Sequence, residues 1–246
     1  MAKDYFSQQA GAYASFRPHY PADLYAYLFK KVKNFECAWD CATGNGQVAS
    51  ELAKHFKSVE ATDISQQQLD NAIAANNVHY SLCPAEKTNF PDDSFDLITV
   101  GQALHWFDQT AFFQETMRVT RPRAYLAVWG YAIISVNEEI DKLFYHYYEE
   151  TVGGYWDQAR KHIENEYADF HFPFAAIDHQ HFTLQLHWTA EHYLGYLRSW
   201  SATQKFINEN GFDPLKDFSA ALAPFWKPEE IKTVQFPIFL KLCSLK

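Results

Sequence analysis

The sequence predicts an α/β fold: a doubly wound, mostly parallel sheet of seven strands carrying a helical, aromatic-rich cap. Three observations predict it. Short apolar runs alternate with helical periodicity through the first half of the chain, a small-residue turn joins the first strand to the first helix, and acids stand at strand ends. Such alternation implies parallel strands covered on both faces, with ligands bound outside their carboxyl ends.

The elements follow in order. Residues 35–39 read as a strand, and Trp39-Asp40-Cys41-Ala42-Thr43-Gly44-Asn45-Gly46-Gln47 carries the chain through a tight turn into a helix over 47–56. Residues 59–62 read as a second strand. A helix is expected over 65–76, where Ser65 and Gln68 have the spacing of a capping box. Strands follow over 78–82 and 95–100, then a helix over 108–119 and a fifth strand over 124–129. Asp40, Asp63 and Gly101 fall at strand ends, so three separate segments converge on one crevice.

After Tyr131 the texture changes. Asn137 is placed to cap a helix whose buried face carries Ile140, Leu143, Phe144 and Tyr147. From 153 to 174 the chain is rich in Tyr, His, Phe and acids, with Pro173 as a breaker, and reads as an inserted cap. Strands are expected over 181–188 and 234–242, with a helix over 190–200 between them. One domain over 1–246 accommodates this: a cofactor-binding core over 35–130, a cap insertion with the sixth strand over 131–200, and C-terminal helices with the last strand over 201–246.

Composition narrows the function. The chain is 48% hydrophobic and 17% aromatic, enough to build a full core. Its 21 basic residues stand against 30 acids, a net charge of −9, which argues against nucleic acid and for a small-molecule partner. The four cysteines show no C-x-x-C spacing, the N-terminus has no signal-peptide core, and no apolar run approaches the ~20 residues that cross a bilayer. A cytoplasmic protein with reduced thiols is expected, as a monomer or homodimer, away from membranes. His179, His181, His187 and His192 lack metal-ligand spacing, so no metal site is expected.

The turn is the chemically informative stretch. A strand feeding a glycine-rich turn leaves the first amides of the next helix pointing at one spot, which suits a phosphate or an amino-acid carboxylate. Gly44-x-Gly46-x-x-Ala49 also satisfies the dinucleotide fingerprint, with Asp63 nineteen residues after Gly44. An NAD(P)-dependent oxidoreductase is therefore one reading. A non-catalytic cofactor-binding module is another.

The remaining pattern sets the preferred reading. Asp40 before the turn, Asp63 after the second strand, Pro84-Ala85-Glu86 after the third and Pro91-Asp92-Asp93-Ser94-Phe95-Asp96 leading into the fourth resemble the class I S-adenosylmethionine-dependent methyltransferases over residues 35–130. Tyr13-Ala14-Ser15-Phe16-Arg17-Pro18-x-Tyr20-Pro21, Gln102-Ala103-Leu104-His105-Trp106-Phe107-Asp108 and Leu197-Arg198-Ser199-Trp200-Ser201 resemble, more narrowly, the small-molecule methyltransferases related to trans-aconitate methyltransferase.

The resemblance implies roles. Asp63 would accept the ribose hydroxyls, the turn Ala42, Thr43, Gly44, Asn45, Gly46 would take the amino-acid tail, and Asp40 would order that turn and reach the ammonium through water. Adenine would lie between Ile64 and the Ala85-Glu86 turn. Pro84 replaces an acid found in many relatives, and Ala42 replaces the first glycine, which requires a negative φ at that position. Gln102 and His105 would stand near the methyl group, His105 orienting the acceptor or acting as base. Trp106 would wall the acceptor pocket or pack beneath the cofactor loop, and Trp200 would enclose an apolar acceptor. An N-terminal lid over 1–34 would bring Tyr13 and Arg17 over the cofactor, Arg17 offering a planar fork to a carboxylate. The expected reaction is methyl transfer from S-adenosylmethionine to a small acceptor such as a carboxylate.

Overall fold

In the computed structural model, which describes residues 18–174 and 176–245, seven strands form one sheet among the described residues. They are β1 (Cys37–Cys41), β2 (Ser58–Asp63), β3 (Val78–Leu82), β4 (Phe95–Gly101), β5 (Thr120–Tyr131), β6 (Ala176–Trp188) and β7 (Lys232–Ser244). The order is β3-β2-β1-β4-β5-β7-β6. β1 to β5 run parallel, whereas β7 is antiparallel to both of its neighbours. The order reverses between β1 and β4, the place where such sheets open a crevice.

Helices cover both faces. α1 (Ala22–Lys31) precedes β1, α2 (Gln47–Leu52) links β1 to β2, α3 (Gln66–Asp70) follows β2, and α4 (Gln109–Val119) leads into β5. Strand alternation sends Ala38, Leu97 and Trp129 to one face and Trp39, Ile98 and Val128 to the other, and each set anchors its own buried cluster. The first cluster runs without a break from Leu24 and Leu28 of α1 to Trp200 and Trp226. Its far end is the cap, α5 (Glu138–Tyr145), with α7 (Ala190–Arg198), α8 (Ser201–Asn210) and α9 (Leu215–Leu222), whereas Ile163 of the intervening α6 (Lys161–Glu164) joins the second cluster.

Several boundaries differ from expectation, each for a tertiary reason. β1 starts two residues late because Phe35 packs on Phe29 and Phe56, while the Glu36 and Cys37 amides donate to Asp96, itself paired with Arg121 at 2.8 Å. The expected helix over 65–76 stops at Asp70. Beyond it the Ile73 amide donates to the Asn45 carbonyl and the Ile73 carbonyl accepts from the Tyr80 hydroxyl, so hydrogen bonds to the glycine turn and to β3 replace helical ones. The capping box is half made: Ser65 Oγ accepts the Gln68 amide, but Asp63 takes the Ser65 amide that the Gln68 side chain would have met. β6 and β7 are each thirteen residues long, because they pair with one another over their whole length.

Asn137 caps α5 as expected, its Oδ1 accepting the Ile140 amide at 3.0 Å. Asn137→Ala should lower unfolding stability by about 1 kcal/mol and Asn137→Asp should restore it, as read by denaturant melts.

Candidate functional site

A cleft of about 460 Å³, open to solvent, lies at the tips of β1 and β4. Residues 42–45 form one wall with Gln47 and Val48, and Gly101 with the rings of Tyr20 and Tyr131 forms the other. The turn is built from left-handed residues, with φ of +55° at Ala42, +57° at Gly44 and +79° at Gly46. At Gly46 a side chain would also collide with the Tyr80 hydroxyl, so glycine is required there twice over. Ala42 overturns the negative φ its side chain was expected to need. A left-handed alanine costs about 1–2 kcal/mol, which the surrounding hydrogen bonds offset.

Those hydrogen bonds centre on Asp40. Its carboxylate is 1% exposed and accepts from Thr43 Oγ1 in the turn, from the Ala49 amide in α2 at 3.1 Å and from Thr99 Oγ1 in β4 at 2.8 Å. Burial pushes its pKa up to about 6, and the three donors pull against that rise. Asp63, the last residue of β2, accepts the Gly44 amide through Oδ2 and the Ser65 amide through Oδ1, both at 2.9 Å. The Thr43 amide donates to Thr62 on the same strand. Asp40 and Asp63 thus fix the turn from both sides.

Ile64 follows Asp63 and is 42% exposed, beside the exposed Leu82 at the tip of β3. Ala85 is buried, and Glu86 Oε1 accepts the Asp108 amide ahead of α4. Gln102 sits in the left-handed region at φ +58° and turns its carboxamide oxygen to the Tyr131 amide at 2.8 Å, tying the tips of β4 and β5 together. Tyr13 and Arg17 lie outside the described residues.

Trp200, expected beside the acceptor, is buried at 3% exposure among Phe144, Tyr148, Trp156 and Tyr196, where ring packing within the cap determines its place. His105, expected near the methyl group, is half-buried after the tip of β4. Its Nδ1 lies 3.1 Å from the Tyr167 hydroxyl, its ring packs on Trp106 at 4.5 Å, and burial together with the charges of Arg160 and His162 pulls its pKa down to about 3. Trp106 packs against the second core cluster. The cleft-lining residues missed from sequence are Tyr20, Gln47, Val48 and Tyr131; the rule that strand tips face the ligand would have found the last, at the end of β5.

Among the described residues no cluster of His, Cys, Asp or Glu could hold a metal, and no helix is long and apolar enough to cross a membrane. All four cysteines are free thiols.

Residues 39–128 match the methyltransferase domain family model. A methyltransferase of Dictyostelium discoideum is 33% identical over 97% of this chain and 94% of its own length. A mycobacterial methyltransferase matches over 127 residues at 32% identity, about half of each chain. Among solved structures, a type II methyltransferase from Anaeromyxobacter dehalogenans superposes with a TM-score of 0.87 at 33% identity, covering 94% of this chain and 98% of that one. A phosphoethanolamine N-methyltransferase of Haemonchus contortus, solved with phosphomonomethylethanolamine and S-adenosylhomocysteine, shares the fold alone: TM-score 0.51 at 15% identity, over 98% of this chain and 58% of that one.

The raised pKa of Asp40 has a thermodynamic consequence. Between about pH 4 and 6 the folded chain holds a proton that the unfolded chain has released, so stability falls as pH rises through that window, by about 3 kcal/mol in total from this group. Asp40→Asn should remove that component of the pH dependence, measured as the difference between melts at the two ends of the window.

Proposed function

Because the chain belongs to the class I S-adenosylmethionine-dependent methyltransferases, we propose that it transfers the methyl group to a small-molecule acceptor, and specifically to a carboxylate oxygen. One observation carries the choice of acceptor. Among the described residues that line the cleft, the titratable side chains are Asp40, Tyr20 and Tyr131, with neither histidine nor lysine. Asp40 is committed to the turn. A hydroxyl or amine acceptor needs a group to remove its proton, whereas a carboxylate is ionised at neutral pH and needs none. His105, held neutral with a pKa near 3, is a poor base at pH 7. Its place in this reading is to position the segment after β4. The excess of acids supports a small-molecule partner over nucleic acid, and the free thiols support a cytoplasmic setting.

The residues present fit the cofactor. Gly44 lines the cleft with no side chain between backbone and ligand, Gly46 lets the turn close against Tyr80, and Asp63 is a carboxylate fixed by two amides, suited to ribose hydroxyls. Thr43, Gly44 and the Gln47 and Val48 backbone would hold the amino-acid tail, and the exposed Ile64 the adenine, with the Ala85-Glu86 turn opposite. When bound, S-adenosylmethionine supplies an electrophilic methyl group on a sulfonium. The chain contributes binding, alignment and exclusion of water, which lower the barrier to an in-line displacement without a covalent enzyme intermediate. The left-handed Gln102 and its bond to Tyr131 keep the acceptor side of the cleft rigid, so the nucleophile meets a pre-set geometry.

The test is incubation with methyl-labelled S-adenosylmethionine and a panel of small carboxylic acids, phenols and amines. Base-labile methyl esters are expected; label found solely in ethers or amines would overturn the acceptor class. Asp63→Asn should weaken S-adenosylmethionine binding by tenfold or more, since a hydrogen bond to a charged group contributes about 1.5–3 kcal/mol; titration calorimetry measures it. His105→Ala should leave ester formation within severalfold of the parent. A complete loss with cofactor affinity intact would give His105 a direct role in the transfer.

A further inference from the structure

We propose that the indole N–H of Trp129, beside the notch left by Gly101, receives a carboxylate oxygen of the methyl acceptor. This rests on the acceptor class argued above and deepens it.

Trp129 is fully buried, yet its Nε1 has no hydrogen-bond partner. An unpaired buried donor costs about 1–3 kcal/mol, and a phenylalanine would fill much of the same space without that cost. The indole sits in register with Gly101, at the carboxyl end of β4 and on the face that carries Asp40 and Thr99. A Cβ on Gly101 would lie 3.3 Å from Trp129 Nε1 and 3.2 Å from the Tyr20 hydroxyl. The space that a side chain would occupy is therefore flanked by an indole donor and a phenol oxygen. Gly101 and Tyr20 both line the cleft, and the orphan donor lies directly behind them, 3.3 Å from where a Gly101 side chain would begin. Its direction is fixed by an edge-on contact with the Tyr20 ring at 5.4 Å.

The chemistry selects an anion. A neutral N–H paired with a carboxylate makes a charge-assisted hydrogen bond, roughly twice as strong as one to a neutral oxygen. A carboxylate so held presents its second oxygen to the rest of the cleft, across from the Asp40 turn.

The experiment uses the ¹⁵N-labelled full chain saturated with S-adenosylhomocysteine, which binds without transferring a methyl group. The seven tryptophans give seven indole resonances, and Trp129→Phe assigns one by its disappearance. Acetate, succinate and benzoate are titrated in turn, against the matching alcohols as controls. The expected result is a saturable downfield movement of the Trp129 resonance with at least one acid and with none of the alcohols. The parent should also bind that acid about tenfold more tightly than Trp129→Phe, at similar S-adenosylhomocysteine affinity. An unmoved indole with all three acids, or equal movement with the alcohols, overturns the assignment. Ester formation with an unmoved indole would sink this subsite and leave the reaction standing; movement without any ester formation would sink the reaction and leave the subsite.

Discussion

A single buried carboxylate organises this molecule's functional end. Asp40 gathers donors from the turn, from α2 that follows it and from β4, more than fifty residues further along the chain. Removing a charge from water is costly, and the three hydrogen bonds recover most of that cost without an ion pair. With it in place, the left-handed Ala42 is tolerable and the amides of the turn are aimed. Without it, the turn would be held by Asp63 and by the backbone bonds of Thr43 to Thr62 and of Ile73 to Asn45.

The cleft has two unlike walls. The wall formed by the turn is backbone, glycine and carboxylate, a surface whose shape is set by φ angles and short hydrogen bonds. The wall across from it is aromatic: Tyr20 and Tyr131, with the indole behind Gly101, held by ring packing and by the Gln102 tie. The first wall is fixed by its backbone. The second can change its chemistry residue by residue while the turn stays as it is.

Much of this was legible in the sequence because local signals and tertiary demands agreed. β3 matched residue for residue, Asn137 capped the helix it precedes, and the acids at the ends of β1 and β2 met at the turn. Where the two disagreed, the tertiary demand prevailed. Helical periodicity ran through Ile73, but the backbone there is pinned by Asn45 and Tyr80, neither of which a local pattern can register. The dinucleotide fingerprint at Gly44 and Gly46 was ambiguous for a different reason: a turn that cradles one nucleoside cofactor looks much like a turn that cradles another, and family membership decides it. The packing of Trp200 and His105 was not legible from the company they keep in the chain, since an aromatic or imidazole side chain gives no sign of which way its strand tip or helix turns it.

The placement of β7 bears on how the chain assembles. Its neighbours in the sheet, β5 and β6, are separated from it by about a hundred and about fifty residues of chain, and it lies between them with an opposite heading. During synthesis the cofactor half can pair β1 through β5 on its own, while β5 waits with an open apolar edge until the thirteen residues of β7 emerge and zip the cap's strand onto it. Long-range pairing of this kind forms late and leaves a nascent chain exposed to misassociation in the interval. Lesions in this last strand should therefore damage yield and solubility out of proportion to their distance from the chemistry.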